Sequence, residues 1–450
     1  MISQLLSRPP VRRAVPVFCA LVLLGAVVLP LYAEPPAAQP AVTGSLSEIG
    51  GVRVLRVWGT PHECGYAQGY LLGKELLPLL DDVLTKGGIP GGPEAYETKF
   101  LPMIGLMRIE PRYQEELRGI LAGVEARLGE APIVPSVNRP LRYEDLVAIN
   151  CIPDFARMGC SSFAAWGPLT VKGDTLAGRN LDWVSIQPLL NSQLIVARLA
   201  SPDGKTPGWV SVTWPCIIGC LTGMNADGIT VSMHDVRGHP PSGKFGFTPR
   251  ALALREAIES ARPATAAKDI AHVLRSRLCA VGNNVASVMP YARHGSPSVV
   301  FEYDGDREDR EGVTVRLPNP KQGKTGDSAG ADPPPAGGRS YYQVCTNHYR
   351  LRATPQLCER YAALDNGLKA LTEEKKKLDV DGAWKLLQAA AQPRAAALVI
   401  LTYQSVVFEP NARRMHVALT HDAKPATEFK PITLDLTKLL APEPAAPRSP

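Results

Sequence analysis

Apolar and polar positions divide this chain into blocks of different period. Val52 to Gly59 (VRVLRVWG) reads as a strand. The segment after it, PHECGYAQGYLLGKELLPLLDDVL, gathers Leu71, Leu72, Leu76, Leu77, Leu79, Leu80 and Val83 on one wide helical face. Further helix is predicted over Tyr113 to Leu128 and near Tyr143 to Ala148. From Cys160 the pattern turns to strands, SSFAAWG, DTLAGRNLDW, QLIVARLA, WVSVTW and GITVSMHDV, separated by Gly, Pro and Asp turns. Helical spacing returns at Pro249 to Ala261 and Thr265 to Leu278, and a strand, SVVFEYD, ends at Asp304.

Residues 305–339 are charged and then low in complexity, which predicts a disordered surface insertion without a packed core. YYQVCTNHY follows as a strand running into a loop, then helices at Thr354 to Leu371 and Val380 to Ala390. The chain closes with ALVILTYQSVVFEP, a turn at Asn411, RRMHVALTH and a last strand at Ile432 to Leu436. This order suits an α+β fold of two antiparallel sheets layered with helices, not a regular βαβ alternation. No internal repeat is visible.

The ends and the charge refine the picture. Arg8, Arg12 and Arg13 precede an uncharged run from Ala14 to Tyr32 that ends LPLYA, the pattern of a secretory leader over residues 1–33. The protein is therefore expected to be exported, periplasmic or extracellular, with an uncleaved leader acting as a membrane anchor as the alternative. A Pro/Ala-rich linker occupies 34–50. The net charge of +6 is mild, three of those charges lie in the leader, and no basic stripe with interleaved aromatics argues for nucleic acid. Of nine cysteines, removing Cys19 with the leader and Cys160 as a free thiol leaves an odd number, so they cannot all pair internally. Cys216 and Cys220 read as buried small hydrophobes.

The candidate chemistry lies in Gly159 to Trp183, GCSSFAAWGPLTVKGDTLAGRNLDW. A turn separates two strands, and the second returns Arg179 and Asp182 towards Cys160. A nearby guanidinium lowers a thiol's pKa from its reference of about 8.5 and raises the nucleophilic thiolate fraction. Gly159 offers the backbone freedom that a strained scissile bond needs. Each residue also has a plainer reading. A lone cysteine is usually structural, Arg179 and Asp182 can form a cross-strand ion pair, and asparagines such as Asn347 commonly end strands.

The segment resembles the start of the mature subunit in the penicillin (isopenicillin N) acyltransferase-like family of cysteine N-terminal nucleophile hydrolases. That family is related to choloylglycine hydrolase, acid ceramidase and the N-acylethanolamine amidases. Its G-R-N-x-D-[WF] pattern is matched by GRNLDW, Gly178 to Trp183. In order along the chain, GTPHECGYAQG resembles its glycine-spaced helix start, GMNADGITVSMHD the strand bordering the oxyanion site, and CTNHY its T-N-H motif. Arg360 follows Asn347 by 13 positions, and QSVVFEPNARRMHVAL resembles the closing hairpin.

The resemblance implies a four-layer αββα sandwich, with a helical pro-segment at 51–159 and a catalytic chain at 160–450 that self-associate after self-cleavage between Gly159 and Cys160. The freed α-amine of Cys160 then serves as base for its own thiol. Arg179 would stabilise the thiolate, Asp182 orient the amine and Arg360 support the network. Asn347 and a backbone N–H near Met233 or His234 would hold the oxyanion, with Asn225 bordering the pocket. The implied activity is hydrolysis or transfer at a linear amide of a small N-acyl substrate, with no cofactor and no metal. Two other readings remain open. A papain-like protease lacks its C-G-S-C-W signature here, and an inert exported binding protein would be expected to lose the nucleophile or its partners.

Overall fold

The computed structural model describes residues 40–85, 89, 91–129, 131–155, 158–184, 187–236, 246–304, 312–318, 340–392 and 400–443. The expected leader and residues 34–39 of the expected linker lie outside the described residues. The rest of that stretch is not a plain linker, because Gly44–Ile49 forms a strand, and the elements of the fold belong to the unit from Ala41 onward.

Strands β1 (Gly44–Ile49) and β2 (Val52–Val57) form a hairpin that leads into helix α1 (Pro61–Thr85). A capping box starts that helix: the Thr60 hydroxyl accepts the Glu63 N–H at 3.3 Å, and the Glu63 carboxylate accepts the Thr60 N–H at 2.7 Å. Short helices α2 (Gly92–Ala95) and α3 (Leu101–Ile104) lead to α4 (Pro111–Leu128). α1 and α4 touch backbone to backbone. A Cβ on Gly65 would fall 1.9 Å from the Glu116 carbonyl oxygen, and one on Gly123 would fall 2.2 Å from that of Tyr66. The glycine spacing in GYAQG therefore marks a helix–helix contact that no larger residue permits. A two-stranded ribbon, β3 (Ile133–Val134) and β4 (Arg139–Pro140), precedes α5 (Tyr143–Phe155).

Strands β5 (Met158–Ala165) and β6 (Leu176–Val184) come next, then α6 (Gln187–Asn191), β7 (Leu194–Arg198), β8 (Trp209–Thr213), β9 (Thr222–Asn225) and β10 (Thr230–Asp235). α7 (Arg250–Ser260) and α8 (Ala266–Ser276) precede β11 (Asn283–Val288), β12 (Ser298–Tyr303), β13 (Val313–Arg316) and β14 (Tyr342–Thr346). The last part runs through α9 (Glu359–Glu373), α10 (Val380–Ala390), β15 (Ile400–Glu409), β16 (Arg414–Leu419), β17 (Ile432–Asp435) and α11 (Leu436–Leu439).

A nine-stranded sheet has the order β1-β2-β7-β8-β9-β10-β11-β12-β13, and a six-stranded sheet the order β14-β5-β6-β15-β16-β17. They face each other across an apolar layer that includes Val54, Ala164, Trp166, Ile195, Phe408 and Met415. α9 and α10 cover the outer face of the smaller sheet, where Leu364 and Leu387 meet Phe163 and Val344. α7 and α8 cover the larger one, where Ile258 and Leu274 pack with Val231 and Phe301. The result is the expected α+β arrangement in four layers, αββα. One pair departs from the antiparallel expectation, because β2 runs parallel to β7. Parallel neighbours need a long crossover, and the helical segment from α1 to α5 together with the β5–β6 hairpin supplies it. Glu116 of α4, fully buried, also ties that segment to the rest, through Arg198 at 2.5 Å and Arg255 at 2.6 Å.

Two further expectations need correction. The stretch 305–339 is not uniformly without structure, because β13 adds antiparallel to β12 with Val313 and Arg316 buried. The alternation in VTVR completes a sheet edge; residues 305–311 and 319–339 lie outside the described residues. The helix expected from Thr354 begins at Glu359. Among the described residues, no helix is long and apolar enough to cross a membrane, and the eight cysteines are all free.

Candidate active site

Strand order places the site. β5 lies between β14 and β6, so both neighbours deliver residues to its N-terminal end. Thr346 pairs with Ser161, which brings Asn347, one step beyond the strand, level with Cys160. On the other side Asp182 pairs with Gly159 and Arg179 with Ser162. Side chains alternate along a strand. Cys160 and Arg179 therefore face the nine-stranded sheet, and Asp182 faces the helices. The cross-strand ion pair between Arg179 and Asp182 does not form. They share β6 and point to opposite faces.

The ion partner of Asp182 is Arg360, whose Nη1 donates to Oδ2 at 2.9 Å. The same Nη1 donates to the Cys160 carbonyl at 2.7 Å, and Nη2 donates to Asn347 Oδ1 at 2.8 Å. Asn347 Oδ1 also accepts the Cys160 backbone N–H at 2.7 Å, while its Nδ2 donates to Asp235 O at 2.8 Å and Met158 O at 3.3 Å. Arg360 thus ties together the residue after the expected cut, the carboxylate and the amide. Gly159 has a steric reason to be glycine. A Cβ there would lie 3.1 Å from the Asp182 Cβ and 3.4 Å from Arg360 Nη1. Close approach, not a left-handed backbone, favours it, since a Cβ would press on both neighbours.

Burial is nearly complete. Cys160 and Asp182 are 0% exposed and Arg179 is 1%. Burial raises the Asp182 carboxyl above its ordinary range, while Arg360, the Thr402 hydroxyl and Arg179 pull it down. Thr402 Oγ1 donates to Asp182 Oδ1 at 2.6 Å, a partner that no motif marks although Thr402 lies opposite Asp182 on β15. Arg179 Nε donates to Thr222 Oγ1 at 2.8 Å and Nη1 to Asn180 O at 3.1 Å, and its buried Nη2 has no hydrogen-bond partner among the described residues. Nearby, burial pushes the Cys358 thiol up, but His348, the Tyr361 backbone N–H and Arg360 together outweigh it and bring it down to about 6.

The three remaining site candidates are engaged elsewhere. Asn225 Nδ2 donates to Ile258 O and Ala261 O, and its Oδ1 accepts the N–H groups of Asp227 and Ile229. It fastens a turn to the end of α7 and has no hydrogen-bonding capacity left for a pocket. The Met233 N–H donates to Leu221 O at 2.9 Å and the His234 N–H to Asn283 Oδ1 at 3.2 Å, so neither is free for an oxyanion. Sequence motifs locate the strand, but not the acceptors that take up these two donors. Cys216 and Cys220 are buried, and burial raises both thiols.

The segment entering β5 is anchored at Asp154, near the end of α5. Its carboxylate accepts the Arg250 N–H at 3.1 Å, and Arg250 Nη1 reaches Asp235 Oδ1 at 2.7 Å. Burial pushes Asp154 up to about 6, against the pull of Arg250. The folded protein then holds this proton more tightly than the unfolded chain does. Stability from this group is fully present below about pH 4 and is lost as pH rises towards 6. Asp154→Asn is expected to gain on wild type over that interval, by of order 2 °C in Tm measured at successive pH values.

No protein-family model matches the chain. The protein dcd1B of Dictyostelium discoideum is 29% identical over 204 residues, 42% of this chain and 40% of that protein, so the match spans about two fifths of the curated relative. Among solved structures, the Caenorhabditis elegans ortholog of N-acylethanolamine-hydrolyzing acid amidase is similar at TM-score 0.38 and 17% identity, over 56% of this chain and 93% of that one. A conjugated bile acid hydrolase from Clostridium perfringens gives 0.39 and 12%, over 63% and 95%. A penicillin V acylase from Agrobacterium tumefaciens gives 0.37 and 13%, over 58% and 83%. Similarities this distant leave the functional reading to the site itself.

Proposed function

We propose that this chain is a self-processing cysteine hydrolase or acyltransferase acting on linear amides that carry an apolar acyl group. The observation that supports it best is the Cys160 backbone nitrogen, held at 2.7 Å by Asn347 Oδ1 in a network that Arg360 extends to Asp182. This nitrogen becomes the α-amine of the mature enzyme. In maturation the Cys160 Sγ bonds to the Gly159 carbonyl carbon, the Gly159–Cys160 C–N bond breaks, and the nitrogen takes up the thiol proton. Water then hydrolyses the thioester, releasing the Gly159 carboxylate and regenerating the thiol.

In turnover the amine, with a reference pKa near 7.7–8.0, is the base for the thiol on the same residue. Asp182 orients it through Arg360, and Arg179 lies on the thiol's face of the sheet. The thiolate attacks the substrate carbonyl, the leaving amine takes a proton from the α-ammonium, and water or a second amine resolves the thioester. Removing the Met158 carbonyl from Asn347 Nδ2 frees that donor for the oxyanion, a role it takes because Met233 and His234 are engaged.

The acyl assignment rests on an apolar cleft lined by Leu79, Val83, Ile149, Trp183, Leu189 and Trp214. Trp183 pairs with Met158 and Leu181 with Cys160, so the cleft wall lies two residues, about 7 Å, along the strand from the position opposite the thiol. Trp183 and Trp214 meet edge to face at 5.5 Å. A series of N-acyl amides of growing chain length tests this reading. Each added CH2 is expected to raise kcat/KM about fourfold until the cleft is full. A preference for charged or short polar acyl groups would overturn the apolar assignment.

A further inference from the structure

Asn347 lies in a bend just beyond β14, where no strand ladder fixes the backbone, yet its amide must meet Cys160 within a few tenths of an ångström. The facing sheet supplies the missing constraint. His234, Asn284, Glu302 and Thr314 are successive cross-strand neighbours on β10, β11, β12 and β13, forming one row near the end of the nine-stranded sheet. Three members of that row hold the loop from Thr346 to Arg352. Asn284 Nδ2 donates to Thr346 O and to His348 O, each at 2.9 Å, the two carbonyls that bracket Asn347. The Glu302 carboxylate accepts the backbone N–H groups of Arg350, Leu351 and Arg352 at 2.8, 2.9 and 2.8 Å. Thr314 Oγ1 accepts from Arg352 Nη1 at 3.1 Å.

The fourth member fixes the row itself. His234 is buried, and burial together with Arg179 holds it well below its ordinary range, so the ring is neutral. Its Nδ1 faces two carbonyl oxygens, Ser232 O at 3.2 Å and Asn284 O at 3.3 Å, so this nitrogen carries the proton. Asn284 and Glu302 are both fully buried, and Arg316 lies 3.2 Å from the Glu302 carboxylate. A buried carboxylate and a buried amide spent on the backbone of a neighbouring loop are costly unless the loop's position matters.

We infer that Asn284, supported by Glu302, is a positioning residue that sets the Asn347 amide against Cys160. The row makes one sheet a template for a loop belonging to the other, so the oxyanion donor is placed by residues remote in sequence from every motif around Cys160. The inference rests on the reaction proposed above for its kinetic consequence, but not for its structural one.

Asn284→Asp keeps the shape and removes both donors. With N-acyl amides as substrate, kcat is expected to fall about 10²-fold, because the donor's placement counts in the transition state. KM is expected to stay within about twofold, because ground-state binding is untouched. Glu302→Gln, which leaves the packing of the row intact, is expected to lower kcat in the same direction without changing KM, and serves if the first variant folds poorly. A crystal structure of Asn284→Asp in a Cys160→Ala background gives a readout independent of turnover, with Asn347 Oδ1 expected to leave hydrogen-bond distance of residue 160 N. An unmoved Asn347, or an unchanged kcat in a variant of active enzyme, overturns the positioning role. A wild type that cleaves none of the amides overturns the proposed reaction instead, and the crystal structure still decides the positioning.

Discussion

Cys160→Ala is expected to remain one uncut polypeptide and to lose amide turnover by at least about 10⁴-fold. Both losses follow from one atom. In the proposed reaction the thiol attacks the Gly159 carbonyl in maturation and the substrate carbonyl afterwards, and alanine removes it at a fully buried position. Intact mass reads the first effect and a steady-state assay the second. Cys160→Ser separates them further, because a hydroxyl can still attack once, slowly, but makes a poor nucleophile for repeated turnover. If the alanine variant is still cut between Gly159 and residue 160, another protease does the cutting and self-processing is wrong.

Asp182→Asn is expected to lower kcat by up to about 10⁴-fold, the loss seen when a buried carboxylate orienting a catalytic base is neutralised. The isosteric amide keeps an oxygen for the Thr402 hydroxyl, whose bond is 2.6 Å in the native protein. It removes the negative charge facing Arg360, which in turn bridges to the Cys160 carbonyl and the Asn347 amide. Leaving Arg360 without its carboxylate also costs stability, so Tm alone does not discriminate. The rate of thiol alkylation at Cys160 does, because it reports the base and not the melt. The reagent's products must be located by peptide mapping, since Cys358, with its thiol near 6, competes for it. Alkylation of Cys160 at the wild-type rate would show that Asp182 is structural.

The hairpin is the most legible part of this chain. GRNLDW following GCSS by one turn is enough to bring Asp182 opposite Gly159, because the two strands pair directly. Asn347 and Arg360 are legible only through motif order, since nothing local ties β14 to β5. The facing of side chains is harder. Arg179 and Asp182, three apart on one strand, look like a pair in sequence, but a strand's period of two sends them to opposite faces. The oxyanion donors expected at Met233 and His234 are already engaged, one by the Leu221 carbonyl and the other by the Asn283 side chain, acceptors that no local pattern marks. Asn283, Asn284 and Glu302 carry no motif at all. Their roles arise from cross-strand register between elements far apart in sequence, which no local pattern encodes. The glycines of α1 are visible as spacing, but only their partners on α4, Gly119 and Gly123, show that the spacing serves contact between two backbones.

The parallel ladder between β2 and β7 carries a consequence for the mature molecule. Those strands lie on either side of the proposed cut, so the larger sheet would be woven from two polypeptides. The precursor folds as a single chain, by a first-order process. The cut protein, once denatured, has to find its partner again, and its refolding becomes second order in protein. Its melting temperature would then rise with concentration while that of Cys160→Ala would not. Under the proposed cleavage, assembly would be written into the precursor and erased by its own chemistry, leaving a molecule that folds well only once.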